Sequence, residues 1–172
     1  MSSLIRISAN FPLLALCFAV VFTAAAPAFA QGAQVAFGKM REESGLPVEV
    51  TSESLAVDQE DGTAIFTGNV VIGQGEMRLS APRVEVIYQK DGSGIASLHA
   101  TGGVTLVSGE DAAESAEADY IIESSVIRMR GSVLLVQGRA ALSGDRMTVD
   151  TVAGTARMTG NVNTVLQQEA DE

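Results

Sequence analysis

The chain has 172 residues, a net charge of −10, one cysteine, one histidine and no tryptophan. Such an acidic balance excludes a broad electrostatic grip on nucleic acid or on anionic membranes. A lone thiol excludes an internal disulfide framework and a cysteine-based metal cluster.

Residues 1–30 read as a secretory signal. Arg6 supplies the basic start, "FPLLALCFAVVF" the apolar run, and "AFA" at residues 28–30 the small-x-small cleavage pattern. Cleavage before Gln31 would leave 142 residues, one domain's worth, with a charge of −11 and no cysteine. The rival reading is an uncleaved anchor over residues 11–30, long enough to span a bilayer. A lipoprotein reading is weaker, because bulky Leu16 precedes Cys17. Residues 31–46, "QGAQVAFGKMREESGL", are polar with a weak apolar centre and read as a flexible lead-in.

From Pro47 onward the chain is a series of short segments rich in Val, Thr and Ile, bounded by Gly, Asp, Asn and Ser. This is the signature of strands and hairpins. "DQEDGTA" and "QKDGSGI" carry Asp-Gly hairpin turns. The units repeat. "TGNV", "TGGV", "RGSV" and "TGNV" put their first glycines at 68, 102, 131 and 160, steps of 34, 29 and 29 residues. Before each stands a second strand, around Val57, Val86, Tyr120 and Val149. Four copies imply one strand-turn-strand unit, bent at a glycine and stacked on itself. The domain is expected over residues 47–167, with residues 168–172 an acidic, frayed tail.

Side chains alternate across a strand, so parity identifies the dry face. Phe66, Ala100, Met129 and Met158 correspond, as do Ala64, Leu98, Ile127 and Ala156. Between them stand Ile65, His99, Arg128 and Arg157, mostly polar, which marks the wet face. After the glycines, Val70, Ile72, Val104, Leu106, Val133, Leu135 and Val162 continue the dry parity. Val84, Val86, Tyr120, Ile122, Met147 and Val149 do so in the other strands. The result is a continuous one-sided apolar stripe. Each fully buried Val, Leu or Met contributes about 1.5–3 kcal/mol, enough to hold the fold.

Catalytic signals are weak. His99 lies on the wet face, where a surface role is the plain reading. The acidic run Glu110, Asp111, Glu114, Glu117 and Asp119 reads as a solvated loop and strand, against the sharper alternative of a paired-carboxylate hydrolase. No metal-ligand cluster and no cofactor loop is expected. A secreted β-solenoid acting as an adhesin or carbohydrate binder would need exposed aromatic platforms. After residue 30 the aromatics are Phe37, Phe66, Tyr88 and Tyr120.

The residues carry a resemblance. "PVEVTSESLAVDQEDGTAIFTGNVVIGQGEMRLSAPRVEVIY", residues 47–88, is similar to the opening of the LptA/OstA-like family of periplasmic lipopolysaccharide-transport proteins. The segment "VIRMRGSVLLVQGRAALSGDRMTVD", residues 126–150, fits the family's second half, including the "QG" and "GD" steps. The departures are Pro82 and Ala116 where the family has an acid, retained at Asp145, and the missing Asn in "TGGV" and "RGSV". Pro82 lacks an N–H and so predicts a strand start or an edge.

The resemblance implies an all-β fold, an open, twisted antiparallel β-jelly roll. It implies a periplasmic bridge that carries lipopolysaccharide from an inner-membrane complex to the outer-membrane translocon, without catalysis or cofactor. Its implied partners are lipopolysaccharide, an LptC-like inner-membrane component, the N-terminal domain of an LptD-like translocon, and further copies of itself, head to tail. The expected acyl-chain groove is lined by Phe66, Val70, Ile72, Leu79, Val84, Val86, Leu106, Tyr120, Met129, Leu135 and Met147. Each CH₂ withdrawn from water is worth about 0.8 kcal/mol, so tails could drive binding to an acidic protein. The adaptable methionines, with Met77 and Met158, would suit a variable lipid; the plain reading is that they fill the core. Arg78 and Arg83 are candidates for contact with a lipid phosphate; the alternative is that both are plain wet-face residues. The edge strands open to partners are expected at residues 48–58, with Val48, Val50 and Leu55, and at residues 156–166, with Met158, Val162 and Leu166.

Overall fold

The computed structural model describes residues 33–38, 40–43, 45–58, 62–92 and 94–167. The signal or anchor reading of residues 1–30 and the tail at 168–172 lie outside them. Among the described residues no helix is long and apolar enough to cross a membrane.

The strands are β1 (Gln34–Ala36), β2 (Glu49–Thr51), β3 (Ser54–Asp58), β4 (Thr63–Gln74), β5 (Met77–Tyr88) and β6 (Ile95–Ser108). They continue with β7 (Asp111–Ile121), β8 (Val126–Gln137), β9 (Ala140–Asp150), β10 (Thr155–Thr159) and β11 (Asn163–Leu166). One short helix, α1 (Met40–Glu43), follows β1. All strand pairs are antiparallel, in the order β1-β10-β9-β8-β7-β6-β5-β4-β2, with β3 also on β4 and β11 also on β9. The expected open antiparallel all-β architecture is present.

Each long strand is bent near its middle. The register between β4 and β5 breaks between Thr67 and Val70, so Gly68 and Asn69 oppose Pro82. Equivalent breaks follow Thr101 in β6 and Arg130 in β8. Such a bulge inserts an extra residue and turns the strand. The "TGNV" sequence is built for it: Gly68 has φ +79° and Asn69 +45°, Gly160 has +77° and Asn161 +47°. Left-handed backbone of this kind is cheap for Gly and tolerated by Asn. A Cβ at Gly68 would also sit 2.4 Å from the Glu53 carboxylate.

The bend splits the sheet into two halves that face each other across the core. The turns after β4, β6 and β8 close one rim; those after β5, β7 and β9 close the other. Tyr120, near the second rim, donates its hydroxyl to Gln74 Oε1 on the first at 2.6 Å, and both side chains are buried. The core is the predicted stripe: Val70, Ile72, Val84, Val86, Leu106, Met129, Leu135 and Val149 are fully buried.

Three expectations change. The described part of residues 31–46 is not a plain lead-in. β1 pairs with β10, and Phe37 and Met40 sit in the core at 0% and 2% exposure. These apolar side chains gain more from burial than the polar stretch around them gains from freedom. Pro82 is neither a strand start nor an edge. It lies inside β5 at the bulge, outside the pairing register, so its missing N–H removes no ladder bond. Each terminal edge breaks in two, into β2 and β3 at one end and β10 and β11 at the other, because each bends as the long strands do.

Candidate functional site

The long strands differ in how they pass the bend. In β4, β6 and β8 the inward parity runs straight through, as in Ile127, Met129, Val133 and Leu135. In β5, β7 and β9 it switches. Met77, Leu79 and Ala81 face inward before Pro82, and Val84 and Val86 after it; Leu142 and Gly144 precede Asp145, and Met147 and Val149 follow it. Both kinds therefore keep a largely apolar face inside, with Gln74, Ser108, Asp111 and Ser115 as its buried polar positions. The stripe is continuous from β4 to β10.

The predicted groove residues come together inside. Val70, Ile72, Leu79, Val84, Val86, Leu106, Tyr120, Met129, Leu135 and Met147 are buried at 2% exposure or less, and Phe66 is half-buried. They form a sealed core instead of an open trough. Burial pushes the Tyr120 phenol upward, and the hydrogen bonds to Thr151 and Gln74 offset part of that.

The seal is the segment around β1 and α1. Phe37 N–H donates to the Gly154 carbonyl at 3.0 Å, and Arg41 to the Ala153 carbonyl at 3.0 and 3.3 Å, on one rim. Gly38 N–H donates to Asp111 Oδ2 at 2.8 Å, and Gln137 Nε2 to the Ala36 carbonyl at 2.8 Å, on the other. Further along, the Glu43 carboxylate accepts from Glu76 N–H at 2.6 Å, and Gln74 donates to the Leu46 carbonyl at 2.9 Å. Phe37 and Met40 escape a reading by period because the alternation of Val35 and Phe37 is too short to mark a strand and Met40 falls out of phase with it; these spaced apolar residues are the available signal.

Arg78 and Arg83 both point away from the stripe. Arg78, exposed beside the β4–β5 turn, donates to the Gly75 carbonyl, and to the Met77 carbonyl at 2.7 Å. That places it on a rim. Arg83 lies at the bend on the outer face, 3.9 Å from Glu85. The wet face also carries a charge ladder across β6, β7 and β8. His99 Nδ1 lies 2.6 Å from Asp119 Oδ1, and Arg130 bonds both Glu117, at 2.8 Å, and Asp119. Desolvation raises the Asp119 pKa, but the bonds with His99 and Arg130 outweigh it and hold the carboxyl below its usual range. The acidic residues of β7 are thus divided among strand positions, with Asp111 tethering the seal and Asp119 in the ladder.

At the ends of the stack, Val50 faces Ile72, Leu55 faces Phe66 and Leu166 faces Ala140. Val48 is half-buried just before β2. Leu55 and Val57 are 53% and 59% exposed, and Leu166 is 71% exposed. Met158 and Val162 do not share that setting. Met158 is buried and its N–H donates to the Ala33 carbonyl at 2.8 Å, so β1 already covers that part of the edge. Val162 falls in the break before β11 and is 39% exposed.

Known proteins share this architecture. The fold resembles LptH of Pseudomonas aeruginosa, described as the LptA-homologous periplasmic component of a lipopolysaccharide transport device. The TM-score is 0.64 at 18% identity, covering 76% of this chain and 99% of that one. An uncharacterized protein of Rhizobium meliloti, R00383, is 26% identical over 165 residues, 91% of this chain and 87% of that protein. Residues 49–155, from β2 to the first residue of β10, match the family described as LptA/(LptD N-terminal domain) LPS transport protein. The chain belongs to that family of lipopolysaccharide-transport proteins.

Proposed function

We propose that this chain is a non-enzymatic lipid bridge of the periplasm. It takes the acyl chains of lipopolysaccharide between its two half-sheets and passes them from an inner-membrane complex to an outer-membrane translocon. Copies stack end to end through their terminal strands, and the end copies meet an LptC-like component and the N-terminal domain of an LptD-like translocon. The observation that carries this reading is the apolar stripe, unbroken from β4 to β10 and ending at terminal strands that leave Leu55, Val57 and Leu166 exposed. Stacking strand on strand would extend the stripe from copy to copy. Arg78, on a rim, is the better placed of the two arginines to meet a lipid phosphate.

Photo-crosslinking in cells tests it. A benzoylphenylalanine at Phe66 or Ile72 is expected to capture lipopolysaccharide, and one at Arg128, on the opposite face, is not. Equal capture at Arg128, or none at Phe66 and Ile72, contradicts the assignment.

A further inference from the structure

The two ends of the stack do not match. At the β4 end, β2 and β3 lie end to end along the same strand, so both half-sheets stop one strand beyond β4. At the β9 end, the half-sheet carrying β11 stops one strand beyond β9. The other half-sheet continues through β10 to β1 and stops two strands beyond. Neighbouring strands are about 4.8 Å apart. A second copy's β2–β3 end can therefore lie along β10 and β11 together once β1 has gone; with β1 in place, one half pairs a strand out of step.

The same segment fills the interior. Phe37 and Met40 descend from it into the core. Its ladder with β10 is three residues long, Gln34 to Arg157, Val35 to Ala156 and Ala36 to Thr155, whereas the ladders joining the long strands continue on both sides of the bend. Its remaining ties are hydrogen bonds to rim carbonyls and to Asp111, Gln137, Glu76, Gln74 and Arg157, groups that water can satisfy when the segment leaves. Ser108 Oγ, next to Gly38, is buried and has no hydrogen-bond partner among the described residues.

We propose that the segment of residues 33–38 and 40–43 forms a plug in cis, displaced jointly by lipid acyl chains and by the β2–β3 end of a second copy. Departure of β1 from β10 bares the edge, and departure of Phe37 and Met40 empties the space the acyl chains take. The proposal rests on the lipid-bridge reading and adds that loading and stacking are one linked event. Each raises the affinity for the other, since coupling between sites is reciprocal.

A reversible lock tests it. Gln34 and Arg157 are exposed cross-strand partners joined by a 2.7 Å side-chain hydrogen bond. Cross-strand Cα separations fall within disulfide reach. The full chain would carry Cys17→Ser, Gln34→Cys and Arg157→Cys, with benzoylphenylalanine at Phe66. Purified lipopolysaccharide is the probe, and sedimentation reports association. Oxidation is expected to lower capture about tenfold or more, within the usual range of coupling, and to hold the chain monomeric where the reduced form associates. Reduction should restore both. Equal capture and association in both forms overturns the plug, and loss of one without the other overturns the coupling. If the reduced chain captures no lipid while oxidation still blocks association, the lipid-filled interior is what fails, and the coupling fails with it.

Discussion

The two ends of this sheet are built from the same bent pattern and finished differently. At the β4 end, Leu55 and Val57 stand exposed on a strand with one partner. At the β9 end, β10 is covered by β1, and Met158, the equivalent of Phe66 in the repeat, is buried. One end offers a bare edge and the other a half-covered one. The bends reinforce the point. At both terminal bends an Asn reaches an acid: Asn69 donates to Glu53, and Asn161 to Asp145 at 2.9 Å. At the inner bends Asn is replaced by Gly103 and Ser132, and the residues facing those bends are Pro82 and Ala116. The Asn–acid clasp thus occurs where a strand breaks in two, and it is dispensed with where neighbours on both sides hold the bend.

The largest expected effect separates the two ends. Phe37→Ala should lower unfolding stability by about 3–5 kcal/mol, the usual loss for a buried aromatic, while Leu55→Ala should stay within about 0.5 kcal/mol. Urea titrations of both variants check this, and equal values would mean that the segment around β1 is not part of the core. Next is the tie between the rims. Tyr120→Phe leaves Gln74 Oε1 without its donor and should cost about 1–3 kcal/mol. The raised Tyr120 pKa adds a sign: its stabilisation is complete below the ordinary value of 10.0 and fades as pH rises through the higher folded value. The Phe variant should show a flatter stability profile from pH 10.0 upward, over the interval between the ordinary and the folded value.

A smaller effect distinguishes terminal from inner bends. Asn69→Ala and Asn161→Ala should each cost about 0.5–1.5 kcal/mol, and Ser132→Ala close to nothing; thermal melts in parallel decide it. The least effect belongs to the wet face. The depressed Asp119 pKa contributes stability above the ordinary value of 3.8, lost as pH falls through the lower folded value. Arg130→Gln should reduce that acid dependence while leaving melting near pH 7 little changed, since the ladder is partly exposed. An unchanged acid limb would show that the ladder does not hold Asp119.

Much of this was legible because one-sided burial writes a period of two into the sequence. Ala64, Leu98, Ile127 and Ala156 were placed on the dry face from spacing alone, and all four are buried. The phase switch in β5, β7 and β9 was harder to read. It occurs at Pro82, Ala116 and Asp145, three residue types with no shared conformational signature, whereas the bends in β4, β6 and β8 are marked by glycine. The interior lining was readable, but its closure was not. Closure depends on contacts between distant segments, such as Gly38 with Asp111 and Tyr120 with Gln74, which leave no period.

The methionines offer the most direct test of the central claim, that the interior receives acyl chains. Met40, Met77, Met129, Met147 and Met158 are all buried along the stripe or on the plug. Methyl-labelled methionine in a deuterated chain, titrated with lipopolysaccharide, should show magnetisation transfer between acyl protons and the Met129 and Met147 methyls, while the Met40 signal moves to a solvent-exposed position. Met129 and Met147 methyls that stay unperturbed at saturating lipopolysaccharide would contradict the account.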